Sequence, residues 1–190
     1  MTSPMKDFIY HLGTVGTPWG DAEKRQWLSE QQIKRSYKDE VVTPLQQYLP
    51  DTAELLNYGT LDYSAFNLPV YELFAVRSKN WQEGYPVVLV TGGVHGYETS
   101  GVQGALKFIK EEFSRYSGKV NLLVLPCISP WGYETINRWN PKAVDPNRSF
   151  GAESQSDEAT QAMAFVRQHS GEVLVHIDLH ETTDSDNSEF

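Results

Sequence analysis

The chain has 190 residues, 39% of them hydrophobic and five of them tryptophan, enough for one domain with a true core and short for two. That composition excludes a disordered chain, and a formal net charge of −9 argues against nucleic acid or an anionic membrane as partner. Cys127 is the single cysteine, so no intrachain disulfide can form, and its apolar neighbours make it a packing residue rather than a nucleophile.

Residues 1–20 are irregular, with Gly and Pro clustered over 13–20. They contain no apolar signal-peptide core, and no later stretch reaches the length of a membrane span, so the chain reads as cytoplasmic. Asp21 is placed to cap a charged helix running to about residue 37, with Trp27, Leu28 and Ile33 as its sparse apolar face. A second helical piece over 43–58 must end or restart at Pro50. Together these predict an N-terminal helical extension over 1–60, packed on a main domain over 61–190.

From residue 68 the pattern changes. Residues 70–76 alternate and are rich in strand formers, 79–84 read as a hairpin turn, and 86–90 as the return strand. Val102, Leu106, Ile109 and Phe113 recur at helical spacing over 100–116. The continuous apolar run 120–125 suits a buried parallel strand. Irregular chain is expected over 129–151. A helix capped by Ser154 or Ser156 then runs to residue 168, turning Ala162, Phe165 and Val166 inward, and residues 173–179 form another buried strand. This order predicts an α/β fold: a mixed, largely parallel sheet with helices on both faces and right-handed crossovers.

Chemistry concentrates at two strand ends. The apolar run 87–90 leads into Gly92-Gly93, then His95-Gly-Tyr-Glu98, then a helix. His95 and Glu98, three apart on a tight turn, point the same way. Open α/β sheets place ligands at this end of a strand. An isolated His-x-x-Glu arises often by chance, so the downstream sequence decides. The last strand ends in Asp178-Leu-His180-Glu181, which adds a second imidazole. Two His and one Glu from neighbouring strand ends, with an open fourth position, are the pattern of a catalytic zinc. His176 lies roughly 13 Å back along the same strand, at ~3.3 Å per residue, too far to share an ion with His180, and reads as structural. His11 and His169 need only surface or capping roles.

Between these halves lies Ser129-Pro-Trp-Gly-Tyr-Glu-Thr-Ile-Asn-Arg-Trp-Asn-Pro-Lys-Ala-Val-Asp-Pro-Asn-Arg-Ser-Phe150. It resembles the Asn-Pro-Asp-Gly-Tyr…Arg-x-Asn…Gly-Val-Asp-Leu-Asn-Arg-Asn-Phe signature of M14 zinc carboxypeptidases. With the upstream His-x-x-Glu and the strand-end His, the resemblance covers about residues 70–181. It implies one zinc ion on His95, Glu98 and His180, with Asp145 supporting a ligand histidine. Arg138 is implied to hold the developing oxyanion, and Asn147 with Arg148 to grip the substrate's terminal carboxylate. The expected partner is a peptide or a small acylated amino acid with a free carboxylate.

The sequence departs from that pattern at Pro146, Ser149 and 129–131. The family's general-base glutamate lies well beyond the third ligand, and neither Glu181 nor Glu189 matches it, so the chain reads as the front portion of such a domain. The resemblance leaves three functions open. One is a zinc metallocarboxypeptidase. Another is a deacylase of the related succinylglutamate desuccinylase and aspartoacylase branch, which Asp-Leu-His-Glu-Thr-Thr over 178–183 resembles. The third is a metal-binding fragment without turnover.

Overall fold

The computed structural model describes residues 11–169 and 171–181; residues 1–10 of the irregular N-terminal stretch, and Glu189, lie outside them. The chain forms two compact units, one up to Gln32 and one from Ile33 onward.

In the first unit, helix α1 spans Asp21–Ser29 and buries Trp27. Gly20, not Asp21, occupies the cap position, and its N–H donates to Glu23 Oε2 at 2.9 Å. The helix also stops well short of residue 37, and Ile33 is exposed. The reason lies within the second unit. The N–H groups of Lys34 and Arg35 donate to the Glu134 carbonyl at 2.8 and 3.3 Å, and that of Tyr37 to Glu134 Oε1 at 2.8 Å. Donors used in this way are lost to a helical ladder.

The second unit opens with a wide helical turn, Lys38–Val42, continuing into α2, Thr43–Gln47. The helical stretch ends at Gln47, ahead of Pro50, and the chain then enters strand β1, Ala53–Asp62, where a helix to residue 58 is expected. Pairing overrides local preference here: β1 runs antiparallel to β2, Val70–Ser78, along its whole length, with one irregularity between Asn57 and Gly59. Strand β3, Val87–Gly92, leads into α3, Thr99–Glu111, and a short α4, Phe113–Tyr116. Strand β4, Asn121–Leu125, is followed by α5, Pro130–Thr135, then α6, Asp157–His169, and β5, Val173–Leu179.

The sheet is mixed, in the order β1-β2-β4-β3-β5. Strands β4, β3 and β5 are parallel, while β2 meets both β1 and β4 antiparallel. The expected β2–β3 hairpin is therefore absent: β4 lies between them. All five residues of β4 are buried, as a central strand requires. Strand β5 differs from expectation too. It hydrogen-bonds to β3 as an edge strand among the described residues, and Leu174, Val175 and Ile177 are exposed rather than buried. The stretch 129–151 holds a buried helix, α5, rather than only irregular chain.

Side chains of β3 alternate across the sheet. Leu89 joins Leu123, Leu125 and Ala75 in a core closed by Ala162 and Phe165 of α6. At the start of α6, Ser156 Oγ accepts the Ala159 N–H at 3.3 Å. Among the described residues no helix is long and apolar enough to cross a membrane.

Candidate metal centre

Because β3 and β5 are parallel neighbours, with Gly92 opposite Leu179, the chain leaves both strands at the same sheet end. One exit delivers His95 and Glu98, the other His180. The first turn is forced by two glycines. Gly93 has φ +61°, and at Gly96 a Cβ would lie 1.8 Å from the Gly132 carbonyl carbon, so no larger residue fits against α5.

The three side chains converge. His95, Glu98 and His180 each offer a ligand atom, all within 4.8 Å of one another. His95 Nδ1 lies 2.8 Å from Glu98 Oε1, and His180 Nδ1 lies 2.7 Å from Glu98 Oε2. His95 and Glu98 are buried, while the His180 side chain is 30% exposed, so the cluster opens to one side.

The far nitrogens of both rings are also held. His95 Nε2–H donates to Asp145 Oδ1 at 3.0 Å, and His180 Nε2–H donates to Asp178 Oδ2 at 2.8 Å. Carboxylates in these places fix each ring's orientation and raise its basicity toward a cation. Two imidazole nitrogens facing one carboxylate at such distances need positive charge between them, either protons or a divalent ion. Burial opposes the charged His95 ring, but hydrogen bonds to Asp145 and Glu98 outweigh burial and the repulsion of Arg138, holding its pKa above the ordinary value. The donor set of two His and one Glu fits zinc with a position left open.

Asp145 is a hub. Its Oδ1 also accepts the Asn147 N–H at 2.9 Å, and its Oδ2 accepts from Arg138 Nε at 3.0 Å. Arg148 Nε stands 3.5 Å from the same oxygen, on a side chain that is 70% exposed. Burial alone would raise the Asp145 pKa, yet His95 and Arg138 pull it down to about 2. Arg138 is thus brought to the ligand cluster through Asp145, while Asn147 and Arg148 sit at its exposed rim.

Two further residues belong to the site, Thr91 and Asp178, neither of which the sequence reading gave a role. Thr91, on β3, donates its hydroxyl to Asp178 Oδ1 at 2.6 Å and accepts from His176 Nε2 at 2.8 Å. Asp178 is the next-to-last residue of β5 and His180 follows its end, a spacing of two that places both on the same side; that spacing was the available signal. His176 is tied to Thr91 rather than to the ligand cluster. Glu181 Oε2 accepts the Ser100 N–H at the start of α3, at 3.0 Å. Cys127 is buried, and burial drives its thiol pKa far up, which suits packing and not nucleophilic attack.

No curated protein matches the chain in sequence. Among solved structures, a protein named "putative metallopeptidase" from Shewanella baltica OS155 is 25% identical, with TM-score 0.58 over 68% of this chain and 49% of its own. A metallo-carboxypeptidase from Burkholderia cenocepacia aligns at 16% identity and TM-score 0.60, over 76% of this chain and 41% of its own. A metallo-carboxypeptidase from Pseudomonas aeruginosa aligns at 18% identity and TM-score 0.55, over 76% and 40%. The chain thus spans about half the length of such structures or less. The fold is that of the carboxypeptidase group, as the resemblance implies. The family model for the succinylglutamate desuccinylase/aspartoacylase catalytic domain matches residues 85–189, more than half the chain and the stretch that holds every residue of the cluster. The chain belongs to the succinylglutamate desuccinylase/aspartoacylase catalytic-domain family.

Proposed function

We propose that the chain carries the metal-binding part of a zinc-dependent hydrolase that cleaves an amide bond near a free carboxylate. The observation behind this reading is the convergence of His95, Glu98 and His180 within 4.8 Å, each ring backed by its own aspartate. A zinc ion held by those three would supply an acidified water and a Lewis acid for the scissile carbonyl. Asp145 and Asp178 hold the rings in the tautomer that turns Nδ1 toward the ion. Arg138, whose side chain is 16% exposed, lies beside the cluster, where a guanidinium can neutralise the oxyanion. Asn147 and Arg148 are the carboxylate anchors, because a guanidinium fork matches a carboxylate where an ammonium does not. Glu181 is engaged with Ser100 and is not read as the general base.

The family match favours an N-acyl amino acid as substrate. Hydrolysis of a C-terminal peptide bond is the second reading, supported by the Arg138-Trp-Asn140 spacing, the Trp131-Gly-Tyr133 segment and the name of the Shewanella baltica neighbour. The test offers the zinc-loaded chain, extended at its C-terminus by a segment that supplies a general-base glutamate, both N-succinyl or N-acetyl amino acids and short peptides with free C-termini. Hydrolysis of one class, abolished by Glu98→Ala and shifted to higher KM by Arg148→Ala, is the expected result. An extended chain that holds one zinc and turns over neither class contradicts the hydrolase reading and supports metal binding without turnover.

A further inference from the structure

The turn bearing two of the three ligands must hold its shape without regular structure, so its carbonyl groups are a direct record of what fixes it. Those of Gly92 and Gly93 accept from the N–H groups of Ile128 and Ser129, at 3.1 and 2.9 Å, and that of Val94 accepts from Ser129 Oγ at 2.7 Å. The His95 carbonyl accepts the Glu98 N–H at 3.2 Å, and the Tyr97 carbonyl accepts the Thr99 N–H at 2.9 Å. Gly96, between the ligands, is different. Its carbonyl accepts from a charged side chain, Arg35 Nη2, at 2.7 Å.

The same guanidinium reaches two more points. Arg35 Nη1 donates to Thr99 Oγ1 at 2.7 Å, directly after Glu98, and Nε donates to the Tyr133 carbonyl at 2.5 Å. Its plane lies over the Tyr133 ring, 3.5 Å from the centroid. Gly132, next to Tyr133, is the residue against which Gly96 packs. One planar fork therefore ties the middle of the ligand turn and its C-terminal flank to α5. Arg35 itself is anchored, since the Glu134 carbonyl and carboxylate hold the backbone of residues 34, 35 and 37.

We propose that Arg35 is a positioning residue for the metal centre: from outside the family-matched stretch of 85–189, it sets the angle at which the turn presents His95 and Glu98. The proposal rests on the metal reading of His95, Glu98 and His180. Five donors in one rigid plane can serve three fixed acceptors at once, whereas a lysine ammonium on its flexible stem cannot reproduce that span. Outer-shell partners of this kind typically change metal affinity by 10–100-fold.

The test uses Arg35→Met and Arg35→Lys in the whole chain, with zinc affinity measured by chelator competition and ligand geometry by the visible spectrum of the cobalt(II)-loaded protein. Circular dichroism and thermal melting of the metal-free variants establish folding. The expected result is a zinc Kd raised by about 10–100-fold in Arg35→Met, with an altered cobalt spectrum, and incomplete recovery in Arg35→Lys. A folded variant with wild-type Kd and wild-type cobalt spectrum overturns the proposal, and if Arg35→Met does not fold, Arg35→Lys decides by the same criterion. Failure of the wild-type chain to bind either metal instead overturns the metal reading itself.

Discussion

Asp145 Oδ1 lies 3.0 Å from His95 Nε2 while its other oxygen takes Arg138, so one carboxylate aligns the His95 ring and places the Arg138 cation beside it. Asp145→Asn keeps the shape and loses the charge. Zinc affinity should fall by about 10–100-fold, read by chelator competition. Because the folded pKa is depressed to about 2, the Asp145 contribution to stability is present above the unfolded carboxylate range and disappears as pH falls toward 2. Acid titration of the metal-free chain should show that loss between about pH 4 and 2, and Asp145→Asn should remove it.

Asp178 plays the same part for His180, and Thr91 steadies Asp178. Asp178→Asn should weaken zinc binding by about 10–100-fold. Thr91→Val, which removes the 2.6 Å hydrogen bond to Asp178 but no group touching the ligand ring, should have a smaller effect in the same direction. Equal zinc affinity in wild type and Asp178→Asn would show that His180 needs no such support.

Protonation of His95 competes with metal. Its pKa in the metal-free fold lies above the ordinary value, so zinc binding must expel a proton over a range extending above pH ~6.5. Calorimetry in buffers of different ionisation enthalpy should find more protons released near pH 6.5 than near pH 9. For the metal-free chain the sign is set by the raised pKa. His95 contributes stability fully below its unfolded pKa, and that contribution fades as pH rises through the folded value. His95→Gln should flatten this part of the profile.

Glu158 is a buried carboxylate at the start of α6 that binds the loop leading to Asp145. It accepts from Tyr63 Oη, from Ser156 Oγ at 2.5 Å and from Asn140 Nδ2 at 3.0 Å. Asn140 Oδ1 in turn accepts the N–H groups of Lys142 and Val144, at 3.0 and 3.1 Å. Glu158→Ala leaves three buried donors without their acceptor and should cost about 3 kcal/mol in urea unfolding. Tyr63→Phe, which removes one donor, should cost about 1 kcal/mol. A Glu158→Ala chain within 0.5 kcal/mol of wild type, roughly the scatter of surface substitutions, would show that this network does not support the loop.

Local pattern was enough for the parts of the fold closest to the chemistry. The run into Gly92-Gly93, the periodic α3, the all-apolar β4 and the strand ending at His180 each carry a strong signal, and together they place His95, Glu98 and His180 at one sheet end. What local pattern could not convey is lateral order. Nothing in residues 79–90 says that β4 inserts between β2 and β3. Likewise Leu55 and Leu56 fit a helix as well as a strand until β2 is present to pair with them. The exposed apolar face of β5 reads as a buried strand because composition does not state which neighbours exist. Arg35 was invisible for a related reason. Its three acceptors lie 61 to 98 residues away, and no spacing rule joins them.

Everything proposed for this chain depends on three side chains from two strand ends making one metal site. Metal content decides it, measured on the purified chain beside its His95→Ala and His180→Ala variants, each shown to be folded. One zinc per wild-type chain, lost in both variants, is the expected outcome. A folded wild-type chain that takes up no metal, or a His180→Ala variant that keeps it, would contradict the three-ligand site.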